Sequence, residues 1–153
     1  LGEKLGPVLF QLPPNWHRNL ERLERFLDVL PEDRRCAFEF RDPSWWDADT
    51  FALLEDRGLA HCLYDVAGEG PPRVVTTDFT YIRFHGAADQ YRGRYRPKDL
   101  AGWAGACASW ARSGRDVYAY FNNDPEGHAV ENARRFAEMV HADDPSKARS
   151  GHV

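Results

Sequence analysis

Five short apolar segments alternate with helical patterns and set the organisation of the chain. The segments occupy residues 7–12, 36–41, 59–65, 80–85 and 116–122. Because side chains alternate between the two faces of a strand, each segment has one apolar face and one mixed face. The pattern predicts five strands.

Four helical patterns lie between or after these strands. Leu20, Leu23 and Leu27 recur at helical spacing before Pro31, and Asp47 or Asp49 is placed to cap a second helix. A third helix is predicted from Pro97, and a fourth is predicted to open at Asp124-Pro125. The apolar positions predicted to face inward in the fourth helix are Val130, Ala133, Phe136, Ala137 and Val140. Residues 66–78 contain several glycines and prolines and predict a loop.

Strands that alternate with helices predict an α/β fold with a parallel sheet. An open doubly wound sheet and a closed barrel both fit that order. The glycine-rich phosphate turn of a dinucleotide fold is absent, since Leu12 is followed by Pro-Pro-Asn-Trp. Strands of an open parallel sheet are apolar on both faces, whereas these strands are apolar on one. The pattern favours a TIM-barrel-like (β/α)8 fold.

A (β/α)8 barrel needs eight strands, and the chain supplies about the last five. Residues 1–6 read as the end of a helix that leads into a strand. We therefore expect residues 1–153 to be a single domain, the C-terminal part of a larger barrel. Residues 141–153 are polar and are predicted to form a flexible tail.

Composition narrows the class of protein further. The net charge of −4 gives no general attraction to nucleic acid or to anionic membrane. No apolar run approaches the roughly 20 residues that span a bilayer. Cys36, Cys62 and Cys107 are widely spaced and lie in apolar contexts. That spacing is typical of reduced core thiols and predicts a cytoplasmic protein.

Alternation predicts which side chains turn away from the helices. The residues assigned to this inner face are Leu9, Gln11, Ala37, Glu39, Arg41, His61, Leu63, Asp65, Tyr81, Arg83, His85, Tyr118, Tyr120 and Asn122. The polar members come late in their strands, and the late ends of parallel barrel strands meet at one rim. We therefore expect a common pocket lined by Gln11, Glu39, Arg41, Asp65, Arg83, His85 and Asn122.

Several of these residues also fit structural roles. Glu39 and Arg83 are candidates for a buried ion pair that fills the barrel. Asp65 is placed to bind loop amides, and Asp124 to cap a helix. His61, in mid-strand, is typical of a core histidine. His85 precedes Gly86, which permits close backbone approach to a ligand and favours a functional role.

Two loops combine guanidinium groups with aromatic rings. Residues 41–46 read RDPSWW and residues 91–95 read YRGRY. Arginine suits carboxylate or phosphate, and tryptophan or tyrosine suits sugar rings or bases. Trp45, Tyr91 and Arg94 are therefore predicted to contact an anionic or polyhydroxylated ligand, although Trp45 is equally suited to packing the loop.

Five motifs together resemble a known family. They are LGPVLFQLPPNW, FEFRDPSW, CLYD, YIRFHG followed by YRGRY, and VYAYFNND. From residue 5 to about residue 140 the chain resembles the YecE-like family, the domain of unknown function 72. The resemblance implies a TIM-barrel-like fold, a longer protein and a distant relation to sugar isomerases. The family's shared polar residues would correspond to Gln11, Glu39, Arg41, Asp65, Arg83, His85, Asn122, Asn123 and Asp124.

These residues predict an enzyme that acts on a small anionic or sugar-like molecule. Glu39 is a candidate general acid or base, Asp65 a second carboxylate and His85 a proton shuttle. Isomerase-like and hydrolase-like chemistry both fit, as does a divalent metal ion held by Glu39, Asp65 and His85. The alternative is a module that binds nucleic acid or another anion through the arginine- and tyrosine-rich loop without catalysis, although the acidic net charge disfavours nucleic acid.

Overall fold

The structure, a computed structural model, describes residues 5–31, 33–89 and 91–142. Within them lies an α/β fold with a parallel sheet of five strands. The strands are β1 Val8–Leu12, β2 Cys36–Phe40, β3 Ala60–Val66, β4 Phe79–Gly86 and β5 Asp116–Phe121. The α-helices are α1 Leu20–Leu27, α2 Ala48–Asp56, α3 Pro97–Arg112 and α4 His128–Ala142. The five predicted strands are confirmed.

The strand order is β1-β2-β3-β4-β5, so neighbours in sequence are neighbours in the sheet. Parallel register pairs Gln11 with Glu39 and Phe10 with Phe38. Register partners share a face of the sheet. Gln11 and Glu39 therefore lie on one face, and the two phenylalanines lie on the other.

Some predicted boundaries differ from the structure or fall outside it. The first helix ends at Leu27, short of Leu30, because the cap residue Asp28 leads into a turn in which the Leu30 amide donates to the Leu27 carbonyl. Asp47 caps α2 through its side chain, which accepts from the Asp49 amide. The prediction for residues 1–4 and most of the predicted tail, residues 143–153, lie outside the described residues.

The chain divides into two units, and the first comprises Leu1–Leu63 and Pro71–Tyr81. Its core is an aromatic stack on the helix-facing side of β1 and β2. Phe10 stacks on Phe38 with ring centroids 5.2 Å apart, and Phe40 stacks on Trp45 at 4.8 Å. Leu23, Leu27 and Leu54 of the two helices close this core. A run of buried side chains of this size supplies the main driving force for folding the unit.

The face predicted for His61 was wrong. His61 pairs in register with Phe38, and its ring packs against Phe40 and Phe51 with centroids 6.4 and 4.8 Å away. The next residue, Cys62, takes the inner face, where its thiol lies 3.8 Å from Glu39 Oε2. The alternation in β3 is shifted by one residue from the predicted one. Nearly every position of this strand is buried, so the apolar pattern does not distinguish its two faces.

The second unit comprises Tyr64–Gly70 and Ile82–Val153, and Phe84 is the centre of its core. Four aromatic rings surround this side chain, from the loop after β4, α3, β5 and α4. Their centroids lie 4.5 to 5.6 Å from that of Phe84, and they belong to Tyr95, Trp103, Phe121 and Phe136.

The face predicted for α4 was also partly wrong. Val130 is 61% exposed, whereas Ala129, Asn132 and Phe136 are buried. The helix begins at His128, after the short 3₁₀ turn Pro125–Gly127. The inward face includes Asn132, a polar residue that an apolar pattern cannot assign, because its amide group binds the main chain of another element.

The burial of His61 predicts a pH dependence of stability. Removal from water lowers the pKa of His61 from 6.5 to about 4. Below pH 6.5 the unfolded chain takes up a proton that the folded protein does not, so stability falls as the pH falls through this window. We expect the free energy of unfolding of His61→Leu to decline less than that of the natural protein between pH 7 and pH 5, by about 2 kcal/mol.

Urea unfolding at the two pH values measures this difference. The matched control is His141→Leu, at an exposed position in α4, which should keep the full decline. An equal decline for His61→Leu and the natural protein would show that His61 is not the titrating group.

Candidate functional site

The first unit places a carboxylate and a guanidinium together at the end of β2. Glu39 is completely buried, and the Arg41 side chain is 11% exposed. Arg41 Nε contacts Glu39 Oε1, and the Cys62 thiol lies near the other carboxylate oxygen. Gln11 occupies the same face by register. A charged pair therefore lies on the side of β2 that is opposite to the aromatic core.

Two loops at the carboxyl ends of β1 and β2 are bound to each other. The indole of Trp45 is 2% exposed and donates to the Trp16 carbonyl at 2.7 Å. His17 Nδ1 lies 3.3 Å from Asp42 Oδ2. Hydrogen bonds from Ser44, and the nearby His17, lower the pKa of Asp42. Trp45, predicted to contact a ligand, is placed inside the core of this unit.

A pocket of about 300 Å³ opens beside these loops. Half of its lining residues are aromatic, and these include Phe10, Trp16 and Phe26. Trp16 and Phe26 are 42% and 39% exposed. Gln11 and Trp45 also line it, so two of the predicted binding residues border one cavity.

The second unit places a second group of predicted residues at the ends of β4 and β5. Arg83 Nε donates to the side-chain oxygen Oδ1 of Asn122 at 3.2 Å. The main-chain amide of Asn122 donates to the Phe84 carbonyl at 2.8 Å. His85 is completely buried. The rings of Tyr64 and Tyr91 pack against its imidazole, with centroids 6.1 and 5.4 Å away.

Asp65 was assigned to the inner face, and this was wrong. Its carboxylate accepts from the Tyr95 hydroxyl at 2.8 Å, the Trp103 indole at 3.4 Å and the Gly68 amide at 3.3 Å. Because Trp103 belongs to α3 and packs on Phe84, Asp65 faces the helices. The bond to the Gly68 amide agrees with the structural reading of Asp65 as a loop anchor.

Tyr95 ties the loop after β3 to the loop after β4. Its hydroxyl donates to Asp65 and accepts from the Gly86 amide at 3.0 Å. Burial, with the Asp65 hydrogen bond, raises the pKa of Tyr95 well above its usual range, and the phenol stays protonated. The two loops are therefore fixed by one buried hydroxyl.

Asn123 and Asn132 form a second buried anchor. Asn123 Nδ2 donates to the Gly93 carbonyl and to Asn132 Oδ1, both at 2.9 Å. Asn132 in turn pairs with the Tyr95 main chain, accepting from its amide and donating to its carbonyl. Asp124 is exposed, and its side chain makes no capping bond to the following 3₁₀ turn. Asn123 therefore holds the loop, whereas Asp124 faces solvent.

Two arginines of the loop after β4 form ion pairs on the surface. Arg94 contacts Glu131 of α4, and Arg96 binds Asp99 at 2.9 Å. Arg94 lines two cavities of this unit, of about 720 and 360 Å³. Asp65 lines the smaller cavity and Glu131 the larger one.

Within the described part of the chain, no group of three or more histidine, cysteine, aspartate or glutamate side chains is placed to hold a metal ion. None of the described helices has the length and apolar character needed to cross a membrane.

Sequence reasoning missed Tyr64, Tyr95 and Asn132. Tyr64 lies on the inner face of β3, where Asp65 was expected. The pairing register between neighbouring strands identifies this face, and one strand alone does not show it. Tyr95 belongs to the YRGRY loop, where it reads as one more surface aromatic. Asn132 interrupts the apolar stripe of α4, and a buried amide at such a position indicates main-chain binding.

The Tyr95 hydroxyl yields a stability prediction. Tyr95→Phe removes the donor to Asp65 and the acceptor for the Gly86 amide, and both partners remain buried. We expect the free energy of unfolding to fall by about 1–3 kcal/mol. Urea unfolding measures the loss, and Tyr91→Phe, at an exposed ring, serves as the control. Equal stability of the two variants would contradict the anchor role.

Several known proteins are similar to this chain. The Bacillus subtilis (strain 168) protein named UPF0759 protein YunF is 29% identical over 164 residues, which cover 90% of this chain and 58% of that protein. A crystal structure of a DUF72 family protein from Thermotoga maritima MSB8 matches with a TM-score of 0.77 and 27% identity, over 88% of this chain and 57% of that one.

A DUF72 family protein from Enterococcus faecalis V583 shares the fold, with a TM-score of 0.77 at 21% identity, over 91% of this chain and 60% of that one. The chain thus spans less than two thirds of the length of these relatives. The family model described as "Protein of unknown function DUF72" matches residues 1–151. The chain belongs to the DUF72 family.

Proposed function

We propose that the protein is an enzyme that acts on a small anionic or sugar-like molecule by acid–base chemistry. Glu39 serves as general acid or base, and His85 serves as a proton shuttle. Arg41 and Arg83 hold negative charge on the ligand, while Gln11 and Asn122 orient hydroxyl groups. Asp65 supports the site by fixing the loops after β3 and β4.

The burial of Glu39 beside Arg41 carries this proposal. In a buried ion pair, the free energy lost by removing two charges from water offsets most of their attraction. Apolar residues of similar size would therefore stabilise the fold equally well. The pair lies on the face opposite the aromatic core, at the carboxyl end of a parallel strand. Charged groups retained in such positions are typical of catalytic sites, where they hold and transfer protons.

We further propose that the sheet is part of a TIM-barrel-like (β/α)8 fold. The strand order runs without the reversal that defines a doubly wound sheet. In the first unit Phe38 and Phe40 pack into the core that the helices close, and in the second unit Phe84 packs on Trp103 of α3. In a barrel of this class the carboxyl ends of the strands carry the catalytic groups. The three buried free thiols support the cytoplasmic location that we propose with it.

The alternative of a nucleic-acid-binding module receives less support. Arg94, one of the two arginines of the YRGRY loop, already contacts Glu131. A net charge of −4 adds no attraction for a polyanion.

The test is proton transfer on defined probes by the intact natural protein. Hexose phosphates are incubated in D₂O, and exchange of the proton next to the carbonyl is followed by NMR. Nitrophenyl glycosides report hydrolysis in parallel. We expect Glu39→Gln, which keeps the shape but cannot exchange a proton, to lower the rate by about 10²–10⁴-fold.

Glu55→Gln, at an exposed position of α2, is the matched control and should leave the rate unchanged. An unchanged rate in Glu39→Gln, with the fold intact by circular dichroism, would remove Glu39 from the chemistry. Absence of exchange and hydrolysis with every probe would contradict the proposed reaction class.

A further inference from the structure

The loop after β4 is held by main-chain bonds at closely spaced points. The Tyr91 amide donates to the His85 carbonyl, the Arg92 amide to the Asp89 carbonyl at 3.0 Å, and the Ala88 amide to the Arg92 carbonyl at 3.2 Å. Asn123 binds the Gly93 carbonyl from β5's carboxyl end. These bonds tie the described residues of the loop to one another and to the ends of β4 and β5.

Gly86 makes this arrangement possible. Its φ is +141°, and a Cβ atom there would lie 2.3 Å from the carbonyl oxygens of Asp89 and Arg92. The loop consequently folds back directly onto the residue that follows His85. Any side chain at position 86 would force the two apart.

Tyr91 is strained within this loop. Its φ is +63°, in the left-handed region that glycine occupies without cost. Asn15, Ala67 and Glu126 share this conformation, but Tyr91 carries the largest side chain of the four. A bulky residue in the left-handed region costs free energy, and such strain persists at sites where the residue serves a function.

The strained backbone brings the Tyr91 ring against His85. The two rings lie 5.4 Å apart between centroids with planes at 77°, an edge-on contact. His85 is completely buried, whereas Tyr91 is 43% exposed. A partly exposed ring thus packs against a completely buried imidazole.

We propose that Tyr91 is the cover of His85 and the residue that selects the ligand reaching it. An edge-on contact leaves at least one face of the Tyr91 ring open. The C–H face of a sugar ring packs on an aromatic face. A planar ring can pack there in the same way. The preferred ligand is therefore a sugar-like molecule rather than a simple inorganic anion. This selection rests on the proposed function, whereas the covering role does not.

The covering role is tested with diethyl pyrocarbonate, which modifies neutral imidazoles, and peptide mass spectrometry of the intact protein. His17, with a side chain 81% exposed, is the internal reference. We expect His85 to react at least tenfold more slowly than His17 in the natural protein and in Tyr91→Phe. In Tyr91→Gly it should react at least tenfold faster than in the natural protein. An unchanged His85 rate in Tyr91→Gly would overturn the cover.

Stability separates function from packing in the same variants. Glycine relieves the strain at φ +63°, so the urea midpoint of Tyr91→Gly should equal or exceed that of the natural protein. A clearly lower midpoint would show that the ring is retained for packing, and would overturn the functional reading of the strain.

Ligand selection is tested by saturation-transfer NMR with methyl glucoside, a hexose phosphate and inorganic phosphate. We expect a sugar probe to bind the natural protein and Tyr91→Phe, and to bind Tyr91→Leu at least tenfold more weakly. Binding of inorganic phosphate alone, or of no probe, would overturn the proposed ligand class. The covering role would still be decided by the diethyl pyrocarbonate experiment. Loss of exchange activity in Glu39→Gln with sugar binding retained separates this outcome from failure of the proposed reaction.

Discussion

The buried ion pair between Glu39 and Arg41 is the interaction on which the proposed function depends. Parallel strands that bury aromatic side chains against helices can be apolar on both faces, and most such strands are. β2 instead carries Phe38 and Phe40 on one face and a buried carboxylate on the other. Because desolvation offsets most of the attraction within the pair, the fold gains little from it. The proposed acid–base chemistry rests on this pair.

The order of elements was predictable from sequence because it depends on local signals. Apolar runs bounded by Pro and Gly located the five strands, and Pro97 located the start of α3. The inner face of β2 and β4 was also predictable, since charged and apolar residues alternate there. In β3 this signal fails: Ala60 to Asp65 are all buried, and only the pairing of Phe38 with His61 fixes the face. Strand register is a long-range property that one strand does not encode.

The loop anchors were harder to foresee for a related reason. Tyr95 and Asn132 read as a surface aromatic and an interruption of a helix stripe, but each satisfies main-chain or carboxylate groups far away in sequence. A sequence pattern reports hydrophobicity, whereas these residues are defined by what they bind. Tyr91 was predicted as a ligand contact from its residue type, whereas its positive φ is visible only in the structure. Residue type and strand position predicted most of the candidate residues. Which of them fix loops became visible only from their hydrogen bonds in the structure.

On the proposed function, the Glu39–Arg41 pair serves the chemistry and adds little to the stability of the fold. Urea unfolding of the double variant Glu39→Met/Arg41→Leu, which replaces both charges with apolar side chains, tests this claim. We expect a free energy of unfolding equal to or above that of the natural protein. A loss of more than about 3 kcal/mol would show that the pair holds the fold together, and would contradict the claim.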